Sequence, residues 1–215
     1  DARRQRQMCI RDRSKNSQEF QEYLKSLENR LEISINFAIQ DFYGNSKPLG
    51  TSDAIFQTMN QYEELIKTRF LVCNCDNLYS VKAIKTLLGE SNYNSMIAYD
   101  FEYLEFSNDR LSSFSLLNIE NNFLSKIIEK PDLKLIRNHS RKKYVSMNIF
   151  SFNGSEIYKH LRDCPINVKR GEKEIATALQ NMILENKKSV IAFPLCEHVP
   201  DLTYKDDLEK INKFL

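Results

Sequence analysis

The stretch that most constrains this chain is LVCNCDNLYS, residues 71–80. Phe70, Leu71 and Val72 form a short apolar run, which predicts a buried strand of a parallel sheet. The run ends in Asn74-Cys75-Asp76-Asn77, small polar residues that stop the strand and leave an acid just past its carboxyl end. Open α/β sheets bind ligands in the crevice outside the carboxyl ends of their strands. Asp76 therefore stands where a carboxylate can hold a divalent cation against a phosphate. The competing reading is that Asp76 only caps a helix beginning near Val81.

The rest of the chain alternates helices with strands. Phe20, Tyr23, Leu24 and Leu27 recur at helical spacing over Ser17–Arg30, with Ser17 as N-cap. Ile33, Ile35, Phe37 and Ile39 alternate with Ser34, Asn36, Ala38 and Gln40, the pattern of a strand. A polar loop leads to Thr51-Ser52-Asp53, which starts a helix running to about Lys67. Ser95–Phe101 is a further strand, and Asn121-Asn122 joins Leu116–Glu120 to Phe123–Glu129 as a hairpin. Tyr144–Phe152 predicts a strand, Gly154–Arg162 and Glu172–Glu185 helices, Ser189–Leu195 a strand and Lys205–Phe214 a closing helix. The pattern implies one α/β domain with a mostly parallel sheet and one inserted hairpin.

Charge bears on the first residues. The chain of 215 residues has a formal net charge of +2. Five arginines and two aspartates in residues 1–13 contribute +3 of this, leaving the remainder at −1. Arg3 to Arg13, RRQRQMCIRDR, resembles the translation of a transposon-type sequencing adapter. Residues 1–13 are therefore expected to be a non-native scar outside the fold, disordered or with few core contacts, and residues 14–215 the domain. With that excess removed, nothing points to nucleic acid, and Arg141–Lys143 is expected to be a solvated loop. No apolar run reaches membrane-spanning length and no signal peptide is visible, which places the protein in the cytoplasm. The five cysteines show neither a disulfide framework nor zinc spacing, and Cys73 and Cys75 are expected in the core. His139, His160 and His198 are scattered, and Cys196-x-His198 is expected to be local packing.

Four stretches then point one way. Pro48-Leu49-Gly50-Thr51-Ser52-Asp53-Ala54-Ile55 resembles an LGTADAI-type loop and helix, and Asn74-Cys75-Asp76-Asn77 an NGDN strand end. Ile128-Glu129-Lys130-Pro131 matches an EKP motif, and Asp201-Leu202-Thr203-Tyr204-Lys205-Asp206-Asp207-Leu208 aligns with a DIGTPEDL-like ending. These motifs, in this order, resemble those of the sugar-phosphate nucleotidyltransferases, and the resemblance runs from about Ser14 to Leu215. Such enzymes join a nucleoside triphosphate to a sugar 1-phosphate, giving a nucleotide sugar and pyrophosphate. Ser146-Met147-Asn148-Ile149-Phe150 sits where that family has an N-x-G-I-Y strand.

The resemblance implies a Rossmann-like nucleotidyltransferase fold and a magnesium ion held by Asp76 and Asp201. It gives Asp76 and Lys130 catalytic roles, Lys130 facing the sugar phosphate as a point charge. Glu129 would accept hydrogen bonds from sugar hydroxyls, and Gly50, Thr51 and Asn148 would contact substrate. Gly50 would let backbone approach the nucleotide closely. Residue by residue, a surface ion pair for Glu129–Lys130, a turn for Gly50 and a helix cap for Asp201 are the plain structural alternatives. The chemistry explains the residue types: two anions must be brought together, so catalysis is mostly positioning and charge neutralisation.

The family's first strand and its G-x-G-T-R-L-type phosphate loop are not present in this sequence. The expectation is a partial domain lacking that strand, from a parent enzyme, and inactive by itself. The departures Cys75, Asn148 and Thr203-Tyr204 allow a second reading, a non-catalytic homologue that binds a sugar nucleotide as a regulatory or assembly subunit. A homo-oligomer fits either reading.

Overall fold

Three strands running in the same direction carry the loops that matter. They are β3 (Arg69–Val72), β4 (Asn94–Asp100) and β9 (Val190–Leu195). β4 pairs with β9 in parallel, while β8 (Phe150–Asn153) is antiparallel to both β4 and β3. The carboxyl ends of β3, β4 and β9 therefore lie on one edge of the sheet. The computed structural model describes residues 7–12, 18–89, 93–138, 142–203 and 207.

The other strands are β1 (Gln7–Asp12), β2 (Ser34–Ile39), β5 (Ser115–Glu120), β6 (Phe123–Ile128) and β7 (Tyr144–Ser146). The helices are α1 (Gln18–Leu31), α2 (Thr51–Gln61), α3 (Glu64–Lys67) and α4 (Val81–Leu88). They continue with α5 (Asn108–Leu111), α6 (Leu133–Asn138), α7 (Gly154–Arg162) and α8 (Ile175–Glu185). Seven strands form one sheet in the order β3-β8-β4-β7-β5-β6-β9, and β1 and β2 form a separate pair. Among the described residues no helix is long and apolar enough to cross a membrane.

β4 is buried along its whole length, which is why its sequence NSMIAYD shows no polar face. Its side chains alternate between two cores. Met96 and Ala98 join Met59, Phe150, Phe152 and Leu179 on one side, with α2, α7 and α8 packed over them. Ile97 and Tyr99 join Leu87, Val145 and Met147 on the other, beneath α4. Each such large apolar side chain contributes about 1.5–3 kcal/mol by leaving water.

The fold class is α/β with a mixed sheet, and two details of the sequence reading change. The sheet is not mostly parallel: among the described residues, β4–β9 is the only parallel pair in the seven-stranded sheet. β3 is not a buried strand of a parallel sheet either. It is the end strand, its one described partner is antiparallel, and all four of its residues are half-buried. An apolar run cannot by itself distinguish a central strand from an end strand.

The chain leaves the sheet after Val72, so Cys73 and Cys75 are exposed rather than in the core, as is Cys196, while Cys164 is buried. The helix expected to reach Lys67 breaks at Tyr62–Glu63 into α2 and α3. The strand expected over Tyr144–Phe152 is interrupted at Met147–Ile149. The helix expected from Glu172 begins at Ile175, because Glu172 is used in a bridge with Asn167.

The hairpin holds: Asn121 and Asn122 have φ of 51° and 67°, the two left-handed residues of a type I′ turn. α1 and β2 form where the periodicity places them. Gln7–Asp12, expected outside the fold, has its backbone paired in parallel with β2, from Gln7 opposite Ser34 to Asp12 opposite Ile39. An open strand edge offers unpaired N–H and C=O groups to any extended segment, whatever its origin. The Ser17 cap and the Lys205–Phe214 helix lie outside the described residues, Asp207 excepted.

Candidate functional site

The loops after β3 and β9 are joined through their main chains. Leu78 N–H donates to the Pro200 carbonyl at 2.9 Å and Leu202 N–H to the Asp76 carbonyl at 2.7 Å. Asn77 faces Asp201 in an antiparallel bridge. The loop after β3 is also pinned from below, where the Tyr79 hydroxyl donates to the Met147 carbonyl at 2.6 Å. Burial raises the Tyr79 pKa far above that of a free phenol, so it remains a donor. Ser80, not Asp76, caps α4: its Oγ accepts from Ala83 N–H at 3.0 Å and donates to Glu197 at 2.5 Å. The capping explanation for Asp76 is thereby removed, and its carboxylate is left at the mouth of a cavity.

That cavity has a volume of about 250 Å³, and its walls include Thr51, Asp76, Glu129, Lys130, Asn148 and Asp201. Six of the seven residues singled out in the sequence thus come to one place. Gly50 does not. Its φ is +98°, and a Cβ there would lie 2.8 Å from the Lys173 carbonyl oxygen, so the close approach it permits is to the protein's own backbone. Ser52 N–H and Lys173 N–H complete that contact, donating to Lys173 O and Leu49 O at 3.1 and 2.5 Å. Asp53, from the same motif, is buried beneath it and accepts from Gln40 Nε2 at 2.9 Å and Gln57 Nε2 at 2.7 Å. The buried Gln40 Oε1 has no hydrogen-bond partner among the described residues.

The acids differ in environment. Asp76 is exposed on one side, but partial burial, and secondarily the charge of Asp201, raises its pKa. Asp201 is 7% exposed; its Oδ1 accepts from the Thr203 hydroxyl and lies 3.2 Å from Arg110 Nη2. Glu129 accepts from the Ser115 hydroxyl and from Arg170 Nη1 at 3.2 Å. Arg170 also reaches Glu174 at 2.5 Å and Glu172 at 3.3 Å. Of the cations on the cavity wall, both arginines are held by carboxylates, while Lys130 has no ion-pair partner among the described residues.

Asn148 explains itself. Its φ is 55°, in the left-handed region that glycine takes freely and asparagine tolerates better than other side chains. An asparagine where the resemblance leads one to expect glycine therefore keeps the break between β7 and β8. Lys130, at φ 44°, is held in the same region.

Sequence reasoning missed both arginines of the cavity wall. Arg170 had a faint signal, since Arg170-Gly171-Glu172-Lys173-Glu174 is a charged turn whose Gly171 has φ +67°. Arg110 had none, because it sits in a four-residue helix and meets its partners only in three dimensions. No group of three or more His, Cys, Asp or Glu side chains that could hold a metal occurs among the described residues.

Known structures share this arrangement of elements. A protein named as a glucose-1-phosphate thymidylyltransferase from Bacillus anthracis, crystallised in complex with sucrose, superposes with a TM-score of 0.70. The match covers 96% of this chain and 74% of that one, at 16% identity. A UTP-bound UGPase from Acinetobacter baumannii gives 0.65, over 97% and 76% of the two chains, at 13% identity. The chain has the nucleotidyltransferase fold. No protein-family model and no curated protein sequence matches it. In the nucleotidyltransferase fold of this chain, the acid pair and Lys130 lie at the carboxyl edge shared by β3, β4 and β9.

Proposed function

We propose that this chain carries the sugar-phosphate and cation site of a nucleotidyltransferase that forms a nucleotide sugar from a nucleoside triphosphate and a sugar 1-phosphate. The observation that carries the reading is the main-chain bridge that puts Asp76 beside Asp201 on a wall shared with Lys130. Ionisation of Asp76 is opposed by burial first and by the charge of Asp201 second, a poor stability device and a common cation site.

The donor set suits magnesium. Mg²⁺ takes hard oxygen ligands, usually one or two carboxylates, and leaves its other positions to water and substrate phosphate. Asp76, which has no ion-pair partner among the described residues, and Asp201 Oδ2, the oxygen that neither Thr203 nor Arg110 contacts here, would hold it. When bound, it supplies charge neutralisation on phosphate oxygens.

The protein's own groups do the rest. Lys130 presents a point charge to the sugar phosphate. Glu129, oriented by Ser115 and Arg170, accepts from sugar hydroxyls. Thr51 opens α2, whose positive dipole end favours a negatively charged group. Positioning these partners in line is where most of the barrier reduction arises.

Calorimetric titration with a panel of nucleotide sugars and sugar 1-phosphates, each with and without Mg²⁺, tests the reading. Binding of at least one such ligand should require Mg²⁺ and should weaken about tenfold or more in Lys130→Met, the loss of one charge-assisted contact. Ligand binding that ignores both the cation and Lys130 would place the site elsewhere.

A further inference from the structure

The acid pair already has a resident cation. Arg110 is held by Asp207 in a two-pronged ion pair, Nη1 and Nη2 each 2.9 Å from one carboxylate oxygen. Nη2 also donates to the Asp201 carbonyl at 3.0 Å and lies 3.2 Å from Asp201 Oδ1. The guanidinium covers the Phe106 ring at 4.7 Å, which fixes its plane. The three side chains are well removed from water, 14% exposed for Arg110, 7% for Asp201 and 5% for Asp207. Screening is weak there, so the charges act on one another strongly.

A divalent cation arriving at Asp76 and Asp201 meets this guanidinium as a competitor for Asp201. Asp207 takes up part of that positive charge and holds the fork on one oxygen of Asp201, the other having no contact among the described residues. We propose that Arg110 is an internal counter-ion to Asp201, tethered by Asp207, and that the tether sets the divalent-cation affinity of the Asp76–Asp201 pair. This deepens the function proposed above and rests on its assignment of Asp76 and Asp201. Asp207 thereby acquires a role that its place near the end of the Asp201–Leu208 motif did not suggest.

The two singles should move affinity in opposite directions. Arg110→Gln removes the competitor and keeps a hydrogen-bonding side chain, so Mn²⁺ should bind about three- to tenfold more tightly, the effect of one partly screened charge nearby. Asp207→Asn frees the guanidinium's full charge for Asp201, so Mn²⁺ should bind weaker by about the same factor. The double variant should return close to the parent, and Arg110→Lys, which keeps the charge, should not bind more tightly than the parent.

Titration of Mn²⁺ alone into the full chain and each variant, with thermal melts alongside, measures this. A purely structural Arg110 predicts that both singles lower the melting temperature and change affinity in the same direction or within about twofold, and that result overturns the proposal. Should Arg110→Gln not fold, Asp207→Asn and Arg110→Lys still carry the sign. A parent chain that binds no Mn²⁺ overturns the acid-pair assignment itself and this inference with it. Binding by the parent with the wrong signs in the variants overturns this inference alone.

Discussion

Asp76 and Asp201 are neighbours through their backbones: the amide of Leu202 donates to the Asp76 carbonyl at 2.7 Å, and Asn77 faces Asp201 across the same bridge. The placement of these acids is a property of the main chain rather than of side-chain attraction, which is what lets two like charges be held together.

That arrangement has a cost which substitution should reveal. The Asp76 pKa is raised in the folded state, by burial first and by Asp201 second. A carboxyl with a raised folded pKa favours folding only below its unfolded pKa, and the contribution is lost as pH rises through the folded value. At pH 7 the ionised Asp76 therefore works against the fold. Asp76→Asn should raise the melting temperature at pH 7 by about 1–3 °C, a gain of well under 1 kcal/mol at this partly exposed site. The gain should disappear below about pH 3, where the parent's carboxyl is largely protonated in both states. Melting curves at the two pH values decide it, and an Asp76→Asn variant destabilised at pH 7 would contradict the electrostatic account.

The left-handed residue between β7 and β8 gives a second expectation. Asn148→Gly should be neutral within about 0.5 kcal/mol, since glycine takes φ near 55° without strain. Asn148→Val should cost about 1–3 kcal/mol by forcing a β-branched residue into that region. Urea unfolding of both variants provides the comparison, and equal stabilities would show that the break tolerates another conformation.

Helix α7 begins at a residue with no room for a side chain. A Cβ on Gly154 would lie 1.8 Å from the Leu65 carbonyl oxygen, which is backbone and cannot swing away. Gly154→Ala should cost about 3 kcal/mol or more by prising α7 from α3. Gly44, where a Cβ meets nothing within 4 Å, is the control on the space term. Its φ of +76° still penalises alanine, so Gly44→Ala should lose about 1 kcal/mol. A Gly154→Ala variant no less stable than Gly44→Ala would mean that the α3–α7 contact is not as close as described.

Much of the architecture was legible because it rests on local signals. The hairpin at Asn121-Asn122 and the helix from Gly154 came directly from turn chemistry and periodicity. What was not legible was set by distant partners. Nothing within Arg69–Val72 tells that its outer edge has no described neighbour, so a half-buried end strand looked like a buried central one. The same holds for Cys73 and Cys75, whose exposure follows from where the chain leaves the sheet. At the site, acids and lysine announced themselves by motif, whereas Arg110 depends on Asp201 and Asp207, both far along the chain. Gly50 was legible as a special glycine and misjudged as to what approaches it.

The central claim is that Asp76 and Asp201 together hold a divalent cation for a sugar phosphate. Electron paramagnetic resonance of Mn²⁺ titrated into the chain with a saturating sugar 1-phosphate tests it most directly. The account predicts a protein-bound Mn²⁺ signal in the parent that Asp76→Asn and Asp201→Asn each abolish while thermal melts show both variants folded. A bound signal unchanged in both variants would contradict it.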